Sequence, residues 1–278
     1  MRAKINDFVY GSSGRAVLSM TVLSAVFISA IIGIGLLVIN FDQPLGLTMF
    51  TVGQIVVTLI TLWLMRKLDV FNSTDFTLKG KAKGFLLGWI FILVQLGSVV
   101  MTAVTLPEGA LTAPDPLHLV MVILHPFIGT GLFEEVLFRG LVLLVLLKVM
   151  GQTKKGVVKA VIISSVIFGV VHLANLVVAD VLPVVTQVFY ASAVGVLFAA
   201  LYLRTKTLWI PIIYHGFVNV SLQIWSALID PNAMPQENGG GGLNVIVLLV
   251  AIVYLVAGLI LLKKVTPDGI VVSESCTE

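Results

Sequence analysis

Charge is scarce in this chain: 11% of its 278 residues are Asp, Glu, Lys or Arg, against about 25% in an ordinary soluble domain. Cysteine is scarcer still. Cys276 stands alone, which excludes an internal disulfide and any metal site built from several thiolates. Its place third from the C-terminus leaves no four-residue C-a-a-X box. No solenoid repeat, low-complexity domain or polar stretch of domain length interrupts the sequence. A basic patch of the kind that holds nucleic acid is also missing, so no nucleic-acid partner is expected.

Hydrophobic residues fill that space, at 58% of the chain and a mean hydropathy of +1.09. Apolar runs of about 20 residues, the length a helix needs to cross about 30 Å of hydrocarbon, recur from end to end. Eight spans are expected, at residues 17–39, 45–65, 85–106, 117–147, 161–179, 181–203, 208–229 and 243–262. The fold class is therefore an all-α polytopic membrane bundle of about eight transmembrane helices, a single integral-membrane domain over 1–278. The first run reads as a retained signal anchor, being longer than a signal-peptide core and lacking a small-residue cleavage site. The fourth run would be about 46 Å long as one straight helix, so a break is expected at Pro126 or Gly129.

Basic residues fall on one side of this arrangement. Arg2, Lys4 and Arg15 precede the first span; Arg66, Lys67, Lys79, Lys81 and Lys83 follow the second; Lys148, Lys154, Lys155 and Lys159 follow the fourth; Arg204 and Lys206 follow the sixth; Lys263 and Lys264 follow the eighth. The alternate loops hold Asp42, Glu108, Asp115, Asp180, Asp230 and Glu237 with no Lys or Arg. The positive-inside rule then places both termini in the cytoplasm. The one remaining basic residue, Arg139, lies inside the apolar stretch 131–147 together with Glu134 and Glu135. Ionisable groups at membrane depth are costly enough to point to a functional site.

Glu135 and Arg139 are spaced i, i+4 with the acid first, the favourable order for a helical ion pair. A helix-locking pair accounts for those two but not for Glu134, which points about 100° away and lacks a counter-charge of its own. Two further patterns carry polar groups in apolar spans. Phe168 and His172 stand one turn apart in the fifth, and His215 and Asn219 share a face of the seventh. Counted at about 1.5 Å per residue from the nearest cytoplasmic basic residue, Glu134, His172 and Asn219 lie about 20 Å deep and His215 about 14 Å. An acid, two imidazoles and a carboxamide in one layer suit addition of water to a carbonyl, with a carboxylate as base and imidazole or amide donors at the oxyanion. Glu134, His172 and His215 are equally candidate ligands for a divalent metal such as zinc.

Glu-Glu-x-x-x-Arg at 134–139, Phe-x-x-x-His at 168–172 and His-x-x-x-Asn at 215–219, in that order, resemble the CPBP intramembrane proteases, which include the type II CAAX prenyl endopeptidases. The stretch 195–219, with Tyr202-Leu203-Arg204-Thr205 and Trp209-Ile210-Pro211, shares this look. The resemblance covers about 117–225, read as a catalytic core, and none of the first three spans. It implies that Glu134 and His172 activate water, that His215 and Asn219 stabilise the oxyanion, and that Glu135, Arg139 and Phe168 support the site. A glutamate-dependent mechanism without metal fits these residues best. The implied function is hydrolysis of a peptide bond in a membrane-associated protein or a prenylated C-a-a-X C-terminus. A short, undecorated chain fits a prokaryotic cell membrane. Two other classes compete: a catalytically inactive scaffold or immunity protein of the same family, and a proton-coupled transporter with the same groups as a relay.

Overall fold

The computed structural model describes residues 2–78, 82–230 and 244–267. Lys79, Lys81, the Gly-rich loop at 231–242, the first residue of the expected eighth span and Cys276 lie outside the described residues.

Capping side chains fix where the first helices begin. A short helix α1 (Arg2–Tyr10) leads into α2 (Ser13–Val38), whose start is set by the Ser12 hydroxyl accepting from the Arg15 N–H at 3.2 Å. Helix α3 (Gln43–Lys67) returns, and a 3₁₀ turn (Ala82–Gly88) continues as α4 (Trp89–Thr105). The fourth expected span is composite: α5 (Pro116–His125), a π-helical turn (Pro126–Gly131), α6 (Leu132–Glu135), a second π-helical segment (Val136–Val142) and α7 (Leu143–Met150). The departure from α geometry at Pro126 and Gly129 falls where sequence placed it; the second π segment was not anticipated. Helix α8 (Lys154–Val170) runs on into a 3₁₀ segment (Val171–Val177), followed by α9 (Val181–Thr205), α10 (Trp209–Leu228) and α11 (Val245–Lys263). Helix α8 starts seven residues before the expected span because Thr153 caps it, accepting from the Gly156 N–H at 3.1 Å.

The fold is an all-α polytopic bundle; among the described residues the only extended pairing is an isolated bridge between Leu111 and Ile229. Among the described residues, six helices are long and apolar enough to cross a membrane. The composite α5–α7 and α10, the other two expected spans, are not among them; they carry Glu134, Glu135, Arg139, His215 and Asn219, and their breaks and polar content set them apart. Helix α9 is the central post, with 67% of its most apolar window buried against 22% for α2 and for α11. Leu18, Val22 and Val26 of α2 and Leu249, Ile252, Val256 and Ile260 of α11 face outward, as side chains in contact with lipid do.

Basic loops meet at one end. Asn6 donates to Asp69 at 3.1 Å, the Tyr10 hydroxyl donates to the Leu68 carbonyl, and Lys148 sits 4.5 Å over the Tyr10 ring. Lys154 caps the end of α11, donating to the carbonyls of Leu262 at 2.6 Å and Lys263 at 3.1 Å. The Trp209 indole donates to the Phe76 carbonyl at 2.6 Å. At the other end the 110–112 segment joins the end of α10, with Thr112 N–H donating to Leu228 at 2.9 Å and Asp230 N–H to Ala110 at 3.0 Å.

Candidate active site

The site assembles where α6 and the second π segment meet α8, α9 and α10. Close approach of α10 depends on missing side chains. A Cβ on Gly216 would lie 2.1 Å from the Phe127 ring, and one on Gly131 would lie 3.2 Å from the Ile212 carbonyl. The backbone of α10 therefore settles against the first π turn and brings His215 to the carboxylates.

Arg139 is 1% exposed and Glu135 0%. The guanidinium donates from Nη1 to Glu135 Oε1 at 2.8 Å and from Nη2 to the Gly195 carbonyl at 3.3 Å. Its carbon lies 4.5 Å over the Phe168 ring and 5.5 Å from that of Phe198. A charge this deep is tolerable only with such a complete set of partners. The expected i, i+4 pair is thus present, and Gly195 and Phe198 join it. Nothing in the sequence marks a backbone carbonyl as a partner, and Phe198 resembles any apolar residue of α9.

His215 links the two carboxylates. Its Nδ1 lies 2.8 Å from Glu135 Oε1, and its Nε2 lies 3.6 Å from Glu134 Oε2. Because Glu135 already serves Arg139 and a carboxylate only accepts, His215 Nδ1 carries the proton and donates. The roughly 100° separation of Glu134 from Glu135 along the helix is spanned by this single imidazole. Glu134 keeps 13% of its side chain accessible.

His172, in the 3₁₀ segment, donates from Nδ1 to the Phe168 carbonyl at 2.7 Å, which leaves Nε2 as a free acceptor in the neutral ring. The Phe168 ring stands edge-on to both imidazoles, with centroids 5.1 Å from His172 and 6.1 Å from His215. Asn219 is half-buried one turn beyond His215 on α10. Among the described residues, no three His, Cys, Asp or Glu side chains form a group able to hold a metal ion, Glu134, His172 and His215 included.

A second buried polar group escaped the sequence reading: Thr51 and Gln54 of α3, His125 at the end of α5, and Thr130 in the first π turn. Its available signal was the stripe Thr51, Gln54, Thr58 and Thr61, all buried and spaced along one face of α3.

Residues 116–221 match the family model described as type II CAAX prenyl endopeptidase Rce1-like. The Bacillus subtilis (strain 168) protein named "Putative membrane peptidase YdiL" is 34% identical over 118 residues, which make up 42% of this chain and 42% of that relative. The chain thus aligns with less than half the length of that relative. No solved structure matches. The matched segment holds all three motifs, with Glu134, Glu135, Arg139, Phe168, His172, His215 and Asn219 inside it, and over that segment the chain is similar to the Rce1-like type II CAAX prenyl endopeptidases.

Proposed function

We propose that this chain is an intramembrane endopeptidase that activates water with Glu134. The observation that carries this reading is the split between the glutamates. Glu135 is sealed, with its Oε1 committed to Arg139 and His215, whereas Glu134, one residue away, retains access and faces His215 Nε2. An inactive scaffold accounts for the sealed acid but gives no reason for an accessible one beside it.

In the proposed reaction, water is held between Glu134 and the Nε2 acceptor of His172. Glu134 takes a proton as the water oxygen bonds to the scissile carbonyl carbon. The carbonyl oxygen becomes an oxyanion, which accepts from the Asn219 amide, while His215 holds Glu135 through Nδ1–H and lies against Glu134. Glu134 then returns its proton to the leaving nitrogen as the C–N bond breaks. The side chains alone balance protons and charge, so no metal step is invoked.

An apolar groove of about 510 Å³ between α2 and α8 is lined at one end by Val170, Val171 and Ala174, neighbours of His172 in sequence. It supports access from the hydrocarbon side, as a lipid-modified C-terminus or a transmembrane segment requires. The substrate class proposed is therefore a membrane-associated protein or a prenylated C-a-a-X-type C-terminus, in a prokaryotic cell membrane.

The test is incubation of the purified protein in lipid with a prenylated C-a-a-X reporter and, separately, with unmodified membrane peptides, beside Glu134→Gln. Cleavage by the native protein and not by the variant is expected, with products identified by mass. Equal cleavage by Glu134→Gln at equal folded amount overturns the mechanism. Absence of any product from native protein overturns the peptidase reading for these substrate classes.

A further inference from the structure

We propose that Gln54 and Thr130 are positioning residues for the Glu134–Glu135 pair, acting through a one-way hydrogen-bond chain that fixes the first π turn. The kinetic part of this proposal rests on the peptidase reading; the structural part does not.

The direction of the chain follows from counting protons. The Thr51 hydroxyl donates to the Leu47 carbonyl at 2.7 Å, so at its 2.8 Å contact with His125 Nδ1 it accepts. His125 therefore carries its proton on Nδ1 and accepts at Nε2 from the Thr130 hydroxyl, 3.1 Å away. Thr130 in turn accepts from the Gln54 amide at 3.1 Å. The order of donation is Gln54, Thr130, His125, Thr51 and the Leu47 carbonyl, and one tautomer of His125 satisfies it. Gln54 is 2% exposed, His125 3% and Thr51 4%; every donor in the chain from the Gln54 amide to the Thr51 hydroxyl finds an acceptor, while Gln54 Oε1 has no partner, and buried hydrogen bonds linked in this way hold their members in place. Gly129 makes room for it: a Cβ there would lie 2.5 Å from Gln54 Oε1 and 2.8 Å from His125 Nδ1.

Position turns this rigidity into function. Thr130 stands four residues before Glu134 and next to Gly131, where the π turn meets the backbone of α10. Helices α3 and α10 both pack on the π turn and on α6. Helix α10 supplies His215, while α3 supplies no group to the reaction and holds the same turn through Gln54. Single hydrogen bonds between membrane helices contribute little to stability, so loss of the Thr130 hydroxyl is expected to leave the bundle folded. Its effect is a displaced carboxylate pair, and misplacement of a reacting group by about 1 Å costs up to about 10²-fold in rate.

The experiment compares native protein, Thr130→Val, Thr130→Ser and Gln54→Leu in lipid bilayers. Its readouts are folded yield, kcat, KM and the ¹⁵N signals of the His215 ring, assigned with His215→Gln. Expected for Thr130→Val and Gln54→Leu are native-like yield and KM, a kcat reduced about 10- to 100-fold, and shifted His215 signals. Thr130→Ser is expected to restore both kcat and the signals. Unchanged kcat and unchanged signals in Thr130→Val overturn the proposal, as does a kcat that falls only in parallel with folded yield. Should native protein cleave nothing, the peptidase reading fails separately, and the His215 signals decide this proposal by themselves: a shift upholds it and constancy overturns it.

Discussion

At the residue scale, Arg139 is the most heavily committed side chain of the site, with an ion pair, a backbone carbonyl and two aromatic faces. Arg139→Ala leaves Glu135 as a buried charge beside His215 alone. A loss of about 3–5 kcal/mol is expected, as for other buried pairs broken from one side, and is measurable as reduced folded yield and earlier unfolding in detergent. Arg139→Lys is expected to recover only part of it, because an ammonium cannot serve Glu135, Gly195 and two ring faces together. Asn219→Ala should leave folding intact and lower kcat by about 10²- to 10³-fold, the usual effect of removing one oxyanion donor. The sequence disclosed Glu135 with Arg139, since i, i+4 spacing is a local property. It did not disclose that His215 touches both glutamates, because that contact depends on how closely two separate helices approach. His125 was equally hidden: a lone polar residue gains meaning only when Thr51 of another helix comes within 2.8 Å.

At the scale of elements, the fit between α10 and the first π turn is what the site depends on. Gly216→Ala forces the new methyl into the Phe127 ring, and overpacking of this kind costs about 1–3 kcal/mol. We expect kcat to fall together with a moderate loss of stability. Adding Phe127→Ala removes the obstructing ring and should recover stability relative to Gly216→Ala alone, giving a favourable coupling in a double-mutant cycle. Two independent losses that simply add would refute the contact. Of the element boundaries, those set by Ser12 and Thr153 caps lie within polar stretches that hydropathy passes over, so α2 and α8 begin earlier than their apolar cores. Pro126 announced the first π turn. The second, Val136–Val142, has no proline, and Gly140 is the residue in it that bears on backbone geometry.

At the scale of the whole molecule, the loops rich in Lys and Arg converge at one end through Asn6–Asp69, Lys148–Tyr10 and Lys154–Leu262. If that end is cytoplasmic, as the positive-inside rule requires, a membrane-impermeant thiol reagent applied to whole cells should label Ala113→Cys and spare Lys155→Cys, both in a Cys276→Ser background. The reverse pattern would invert the molecule. The bundle was legible from hydropathy because its outer helices are nearly pure hydrocarbon. The expected spans least like a standard membrane helix, the composite fourth and α10, are those that hold the charged and hydrogen-bonding groups of the site. The two π segments carry one more consequence. A turn bonded i to i+5 takes in one residue more than an α turn, so removing a residue from 126–131 would let regular α-helix re-form there. The wider turn absorbs that residue locally, so it is closing the turn to α geometry at unchanged length that would rotate Glu134 and Glu135 by about 100° away from His215 while hydropathy stayed almost unchanged. The first π turn therefore sets the facing of the two glutamates, and a substitution that closes it to α geometry at constant length is expected to inactivate where many apolar substitutions are tolerated.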